Sequence, residues 1–125
     1  IEGYRHAIRL WTVVLEISVL MAQYPSREIA ERSYAYRTLG LGYANLGALL
    51  MVGGIAYDSA EATAWAGALT AVLTGASYAA SAEMAGALGA FPAYEENRAP
   101  MLRVVANHRA AAWGSPYEGL HTPVP

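Results

Sequence analysis

Few residues in this chain are of a type that could do covalent chemistry. It has no cysteine, which removes disulfides, thiolate metal ligation and thiol catalysis from these 125 residues. Its histidines, His6, His108 and His121, are scattered. A metal site wants clustered spacing and usually acidic or thiol companions. His108 lies between Asn107 and Arg109, which reads as a solvated helix face; an anion or a neighbouring domain is the alternative. Glu95 and Glu96 are adjacent and do not share one helical face, so they make a poor acid–base pair. Arg37 would either pair with a carboxylate outside this segment or serve simply as a cation at a helix C-terminus, where the dipole favours one. No catalytic residue and no metal ligand is assigned on these grounds.

Arg37 opens the most constrained backbone in the chain, the run Arg37-Thr38-Leu39-Gly40-Leu41-Gly42-Tyr43-Ala44-Asn45-Leu46-Gly47-Ala48-Leu49-Leu50-Met51. Glycine costs about 1 kcal/mol against alanine inside a helix. It is kept where the backbone needs an unusual dihedral or a close neighbour. The spacing predicts a tight turn at Gly40 and Gly42 feeding a helix over 43–52 whose start packs closely against another group. Gly-x-Gly also suggests a phosphate loop. That fingerprint needs a preceding strand and a third glycine, whereas position 45 is Asn.

The remaining elements are read as helices that would position these residues. Ile8, Trp11, Leu15 and Val19 recur at helical spacing, with Val14 and Met21 widening the stripe, and predict a helix over 3–23 buried on a broad face. Tyr24-Pro25 ends it. Ser26 is a fair N-cap for a second helix over 27–36, braced by a Glu28–Arg32 pair. Gly53-Gly54 stops the 43–52 helix. Asp58 or Ser59 caps the longest helix, 59–88, closed by Gly89 and rich in small residues that would let a neighbouring helix come close. Phe91-Pro92 breaks the chain, 93–98 reads as one or two polar turns, and Pro100 suits position N1 of a last helix over 100–113. That helix would turn Leu102, Val105 and Ala112 inward and Arg103, Asn107, His108 and Arg109 outward. Residues 115–125 read as an irregular tail. The fold class expected is all-α, about five helices in a single segment spanning 1–125.

Composition bounds the setting. Apolar residues make up 55% and charged residues 14%, against a usual charged share of about 25%. So little charge suits a membrane protein, an oligomer or a piece of a larger core. The net charge of −2, with eight Arg and no Lys, argues against nucleic-acid binding. The uncharged runs Leu39–Tyr57 and Ala62–Ala82 are long enough to cross a bilayer, where about 20 residues suffice. Glu2, Arg5, Arg9 and Glu16 rule out a signal peptide at the start. The chain opens on Ile1 and closes on Pro123-Val124-Pro125, and both ends read as cut from something longer.

The Arg37–Met51 run with Tyr57-Asp58-Ser59 resembles the adenosylcobalamin-dependent, class II ribonucleotide reductases. Arg9-Leu10-Trp11, Val14 to Gln23 and Pro25-Ser26 extend the resemblance on one side. Gly67 to Ala71, Ser81-Ala82-Glu83-Met84, Leu88-Gly89, Phe91-Pro92, Met101 to Val104, Asn107-His108-Arg109 and Tyr117 to Leu120 extend it on the other. The resemblance implies a helical segment of the large subunit's α/β barrel domain, in a cytoplasmic enzyme that reduces ribonucleotides to 2′-deoxyribonucleotides. In that family adenosylcobalamin generates a thiyl radical, and a cysteine pair supplies the reducing equivalents. None of those cysteines is here. The family's Asn-x-Cys-x-Glu pattern would lie upstream, and its phosphate-binding turn downstream. The segment is then scaffold, with no cofactor or metal expected on it and the rest of the catalytic domain as its partner. Gly40, Gly42 and Asn45 are the candidates for residues near the pocket. Where the family is commonly more basic, this chain has Val105 to Ala112, which weakens its polar face. A small membrane helical bundle and a self-associating helical module are the competing readings.

Overall fold

The computed structural model describes residues 1–115, so all but the first residue of the tail expected over 115–125 lies outside the described residues. Those residues form five helices and no strand: α1 (Glu2–Met21), α2 (Arg27–Tyr36), α3 (Leu46–Val52), α4 (Ala60–Leu88) and α5 (Tyr94–Ala112). At 1.5 Å per residue α4 runs about 43 Å and is the element to which the others are referred. α1 packs chiefly on α4, α5 packs on α4, and α2 packs on α1.

Local signals set most of the ends. The Ser26 hydroxyl accepts from the Ile29 N–H at 3.3 Å, and the Ser59 hydroxyl from the Ala62 N–H at 3.1 Å, each satisfying a donor that the helix cannot. Of the two candidate caps for α4, Ser59 is the one used. Gly89 takes φ +89° to end α4, a conformation that only glycine adopts cheaply. The Tyr24 hydroxyl donates to the Val19 carbonyl at 3.0 Å, which satisfies an open carbonyl at the end of α1. Glu28 and Arg32 pair at 3.0 Å, as the spacing predicts.

The seam between α1 and α4 holds most of the core. Ile8 on α1 and Leu73 and Ala80 on α4 are buried. Thr12 is buried too, and its hydroxyl donates back to the Ile8 carbonyl at 2.8 Å, so it leaves no unmet polar group. The Tyr4 hydroxyl donates to the Leu69 carbonyl at 3.4 Å, and Arg9 pairs with Glu83 on the outer side of the seam.

Four expectations change. The stripe on α1 is narrower: Ile8 is buried and Leu15 and Val19 half-buried, but Trp11 is 55% exposed, because α1 has only one major partner here. α3 begins at Leu46, not at residue 43, because Asn45 sits in the left-handed region at φ 68° and interrupts any helix running into it. α5 begins at Tyr94 and carries Pro100 at its seventh position. Its half-buried residues are Tyr94, Asn97 and Met101 at helical spacing in the first half and Asn107, Ala110 and Ala111 in the second, while Leu102, Val104, Val105 and Ala112 are exposed. Packing of that first face, with Tyr94 edge-on to Phe91 at 5.6 Å, outweighs the proline's preference for a helix start. Finally, among the described residues no helix is long and apolar enough to cross a membrane. The run Leu39–Tyr57 is broken at Asn45 and Gly53-Gly54 and yields only the seven-residue α3.

Candidate functional site

A cleft of about 790 Å³ is bounded by α1, α2, residues 37–41, α4 and the start of α5. Its walls are mainly apolar, including Leu15, Leu39, Leu41, Leu73 and Met84, with a few hydroxyls from α4. Ser77, one of these, is already committed to the Leu73 carbonyl at 2.7 Å.

One ion pair stands in this wall. Arg37 ends α2 in the left-handed region at φ 48°, which turns its side chain back toward α1. There it is only 11% exposed, and Glu16 is 22% exposed. One Arg37 guanidinium nitrogen donates to both the Glu16 carboxylate and, at 3.3 Å, the Glu16 backbone carbonyl. The guanidinium lies 5.6 Å from the centre of the Tyr34 ring, within cation–π range. The Arg37 Nε is buried with no partner among the described residues. The arginine therefore does not wait for a carboxylate from outside; its partner is twenty-one residues earlier in the same chain. Sequence reasoning missed the pairing, although Glu16 is the only charge between Arg9 and Arg27 and was the available signal.

Gly40, Gly42 and Asn45 do not line the cleft; their neighbours Leu39 and Leu41 do. A Cβ at Gly40 or Gly42 would meet nothing within 4 Å among the described residues, so the close packing expected there is absent. Neither glycine has positive φ, and residues 37–45 contain no turn or bend. Asn45 makes no side-chain cap bond. The tight-turn expectation therefore fails, because the positive-φ positions are Arg37 and Asn45, at the two ends of the segment, instead of the glycines. Tyr43 reaches α4, with its hydroxyl 3.0 Å from that of Thr70. His108 is exposed and faces the Tyr78 ring at 5.9 Å.

The arrangement is a mainly apolar recess with one ion pair in its wall. No group of three or more His, Cys, Asp or Glu among the described residues is placed to hold a metal. Among the described residues the clear acidity shift is at Tyr4, whose phenol is pushed up first by burial and then by nearby Tyr43. The wall's charged groups, Glu16 and Arg37, are engaged with each other.

A family model described as the barrel domain of ribonucleotide reductase matches residues 1–116. The chain belongs to the ribonucleotide reductase barrel-domain family. Its similarity to individual members of that family is high. It is 69% identical over 122 residues to the vitamin B12-dependent ribonucleotide reductase of Agrobacterium fabrum, covering 96% of this chain and 10% of that protein. It is 62% identical over 128 residues to the enzyme of the same name from Bradyrhizobium diazoefficiens, covering 100% of this chain and 10% of that one. The Rhodopirellula baltica enzyme of that name is 47% identical over 110 residues, which is 88% of this chain. The chain thus spans about a tenth of the length of the Agrobacterium and Bradyrhizobium relatives. As a barrel-domain segment of a ribonucleotide reductase it is helical throughout its described elements.

Proposed function

We propose that this chain is a helical scaffold segment of a vitamin B12-dependent ribonucleotide reductase, and that it holds other parts of the catalytic domain in place without supplying a reacting group. The observation that carries the reading is the pairing of 69% identity with complete absence of cysteine. A reductase of this class works through thiyl-radical chemistry on ribonucleotides, so its reacting cysteines lie elsewhere in the parent. Adenosylcobalamin, when bound there, would supply the initiating radical, and the segment is assigned no part in holding it. The parent's place is the cytoplasm.

Two features support a scaffold role. Leu10, Trp11, Ile17, Leu20 and Met21 leave one side of α1 exposed, a surface suited to cover by the remainder of the domain. The Glu16–Arg37 pair fixes residues 38–44 at a defined place beside the cleft. Gly40, Gly42 and Asn45 stay as candidates for the residues nearest the parent's pocket, since the space over both glycines is open. Gly40→Val in the parent should then raise KM for the ribonucleotide.

The test is a chimera of the Agrobacterium fabrum reductase carrying these 125 residues in place of its own. Cobalamin-dependent ribonucleotide reduction by the chimera, and none by the 125-residue chain alone, is the expected result. Turnover by the isolated chain overturns the scaffold assignment. A folded chimera without turnover overturns the functional one.

A further inference from the structure

α5 begins where its own sequence disfavours a helix. Pro100 has no N–H to give the Glu96 carbonyl, and its ring crowds that carbonyl. A proline also pushes the residue before it, here Ala99, away from the helical region. By local preference the helix would start at Pro100, where a missing N–H is harmless. It starts instead at Tyr94, and its N-cap, Ala93, offers no side-chain cap bond. Residues 94–99 are therefore held helical by contacts made outside their own sequence.

Those contacts converge on the end of α2. The Ala93 N–H donates to the Ala35 carbonyl at 3.0 Å. The Tyr36 hydroxyl donates to the Glu96 carboxylate at 3.4 Å. The Asn97 side-chain amide donates to the Ala93 carbonyl at 2.8 Å, which fastens the first turn of α5 to the residue that is bonded to α2. Ala93 itself is buried. Arg37 follows Tyr36 directly and carries the ion pair to Glu16 on α1. One short stretch, Ala35 to Arg37, is thus tied to α1 on one side and to α5 on the other.

We infer that residues 94–99 are a conditional opening of α5, helical while they are docked on the end of α2 and unwound back to Pro100 when that dock opens. Phe91, Pro92 and Asn97 line the cleft on one side and Tyr36 and Arg37 on another. Unwinding loosens the first set from the second, so the hinge sets the width of the cleft. The Glu16–Arg37 pair biases the same element, because losing it frees the end of α2 and with it the acceptor at Ala35. The hinge needs only this chain's own contacts.

Amide hydrogen exchange in the full-length chimera tests it, read by mass spectrometry with fragmentation that resolves single residues. Amides 97–99 are compared with 104–108, since both sets are donors within the helix, whereas 94–96 are not. The expected result is exchange at 97–99 at least about tenfold faster than at 104–108. Pro100→Ala should close that gap. Glu16→Gln should speed 97–99 and leave 104–108 unchanged. Asn97→Ala separates docking from intrinsic preference: alanine is the better helix former, so preference alone slows exchange at 98 and 99, whereas loss of the dock speeds it. Equal rates in the unsubstituted protein overturn the hinge, as does a gap left whole by Pro100→Ala or slower exchange in Asn97→Ala. Exchange at 97–99 that ignores Glu16→Gln, or that rises no more than at 104–108, overturns the coupling through Arg37. Ribonucleotide turnover is scored apart, so an inactive folded chimera with the expected pattern rejects the functional reading and keeps the hinge.

Discussion

Glu16→Gln is the sharpest probe of how the segment is held. The substitution keeps the side chain's shape and removes its charge, leaving the Arg37 guanidinium without its counter-ion. Exposed ion pairs contribute about 0–1 kcal/mol, whereas breaking a fully buried one costs about 3–5 kcal/mol. With Arg37 11% and Glu16 22% exposed, this pair stands nearer the buried limit, discounted for the solvent that still reaches the carboxylate. A loss of about 2 kcal/mol is expected. The Glu16 backbone carbonyl still accepts from the guanidinium, which keeps the figure below the buried value. Arg37→Met removes the charge and the buried unpartnered Nε together. The double variant Glu16→Leu with Arg37→Met should therefore cost less than Glu16→Gln alone, because no charge is left buried. Urea unfolding followed at 222 nm, at two protein concentrations to separate folding from association, gives all three numbers. A Glu16→Gln loss under about 0.5 kcal/mol would place the pair among surface pairs and refute the reasoning. So would a double variant as costly as Glu16→Gln and Arg37→Met added together.

Three other outcomes follow from the helix ends and the seam. Pro100→Ala should stabilise α5, because proline is about 3 kcal/mol worse than alanine inside a helix; a rise of several degrees in Tm is expected, and no rise would mean that the helix starts at residue 100. Ser59→Ala should lose about 1 kcal/mol in the same urea assay by removing the cap on α4. Burial holds the Tyr4 phenol's pKa above its ordinary 10.0, with Tyr43 adding to the shift, so the folded state keeps this proton more tightly than the unfolded state does. Its contribution is complete below pH 10 and is lost as pH rises through that range; Tyr4→Phe should flatten the alkaline limb of a stability-versus-pH curve.

The helix count was legible because its signals are local. Tyr24-Pro25-Ser26, Gly53-Gly54, Ser59, Gly89 and Phe91-Pro92 each act within a turn of their own position, and each marks a boundary in the structure. What failed depended on distance along the chain. Nothing near Pro100 says that Tyr94, Asn97 and Met101 will find a surface to pack on. Nothing near Arg37 names Glu16. The glycines at 40 and 42 predict a turn because glycine is costly inside a helix, yet neither takes a positive φ. The alternation Leu39, Leu41, Tyr43 was present in the same seven residues and carried the period-two signal that the exposures repeat.

The exposed helices give the chain more surface than a folded monomer of its mass is expected to have. The chain presents 9230 Å² to solvent, whereas a folded monomer of its 13.3 kDa mass is expected to present about 6,450 Å². Even if the ten residues beyond 115 were given the full area of an unfolded chain, about 1,600 Å², more than about 1,000 Å² of excess would remain. That is the scale of a specific protein interface, where each partner gives up about 800 Å². The excess is also of the right chemistry: Trp11 at 55%, Met51 at 76%, Val52 at 90% and Leu88 at 78% exposed are residues that a finished surface hides. The low charged fraction, 14%, is what this arrangement requires, since a face destined for cover needs no charge to keep it in water. Overexposed helices and an extended segment over 38–44 with no backbone hydrogen bond to a described residue are both what the proposed scaffold role requires, in which more of the parent covers this surface.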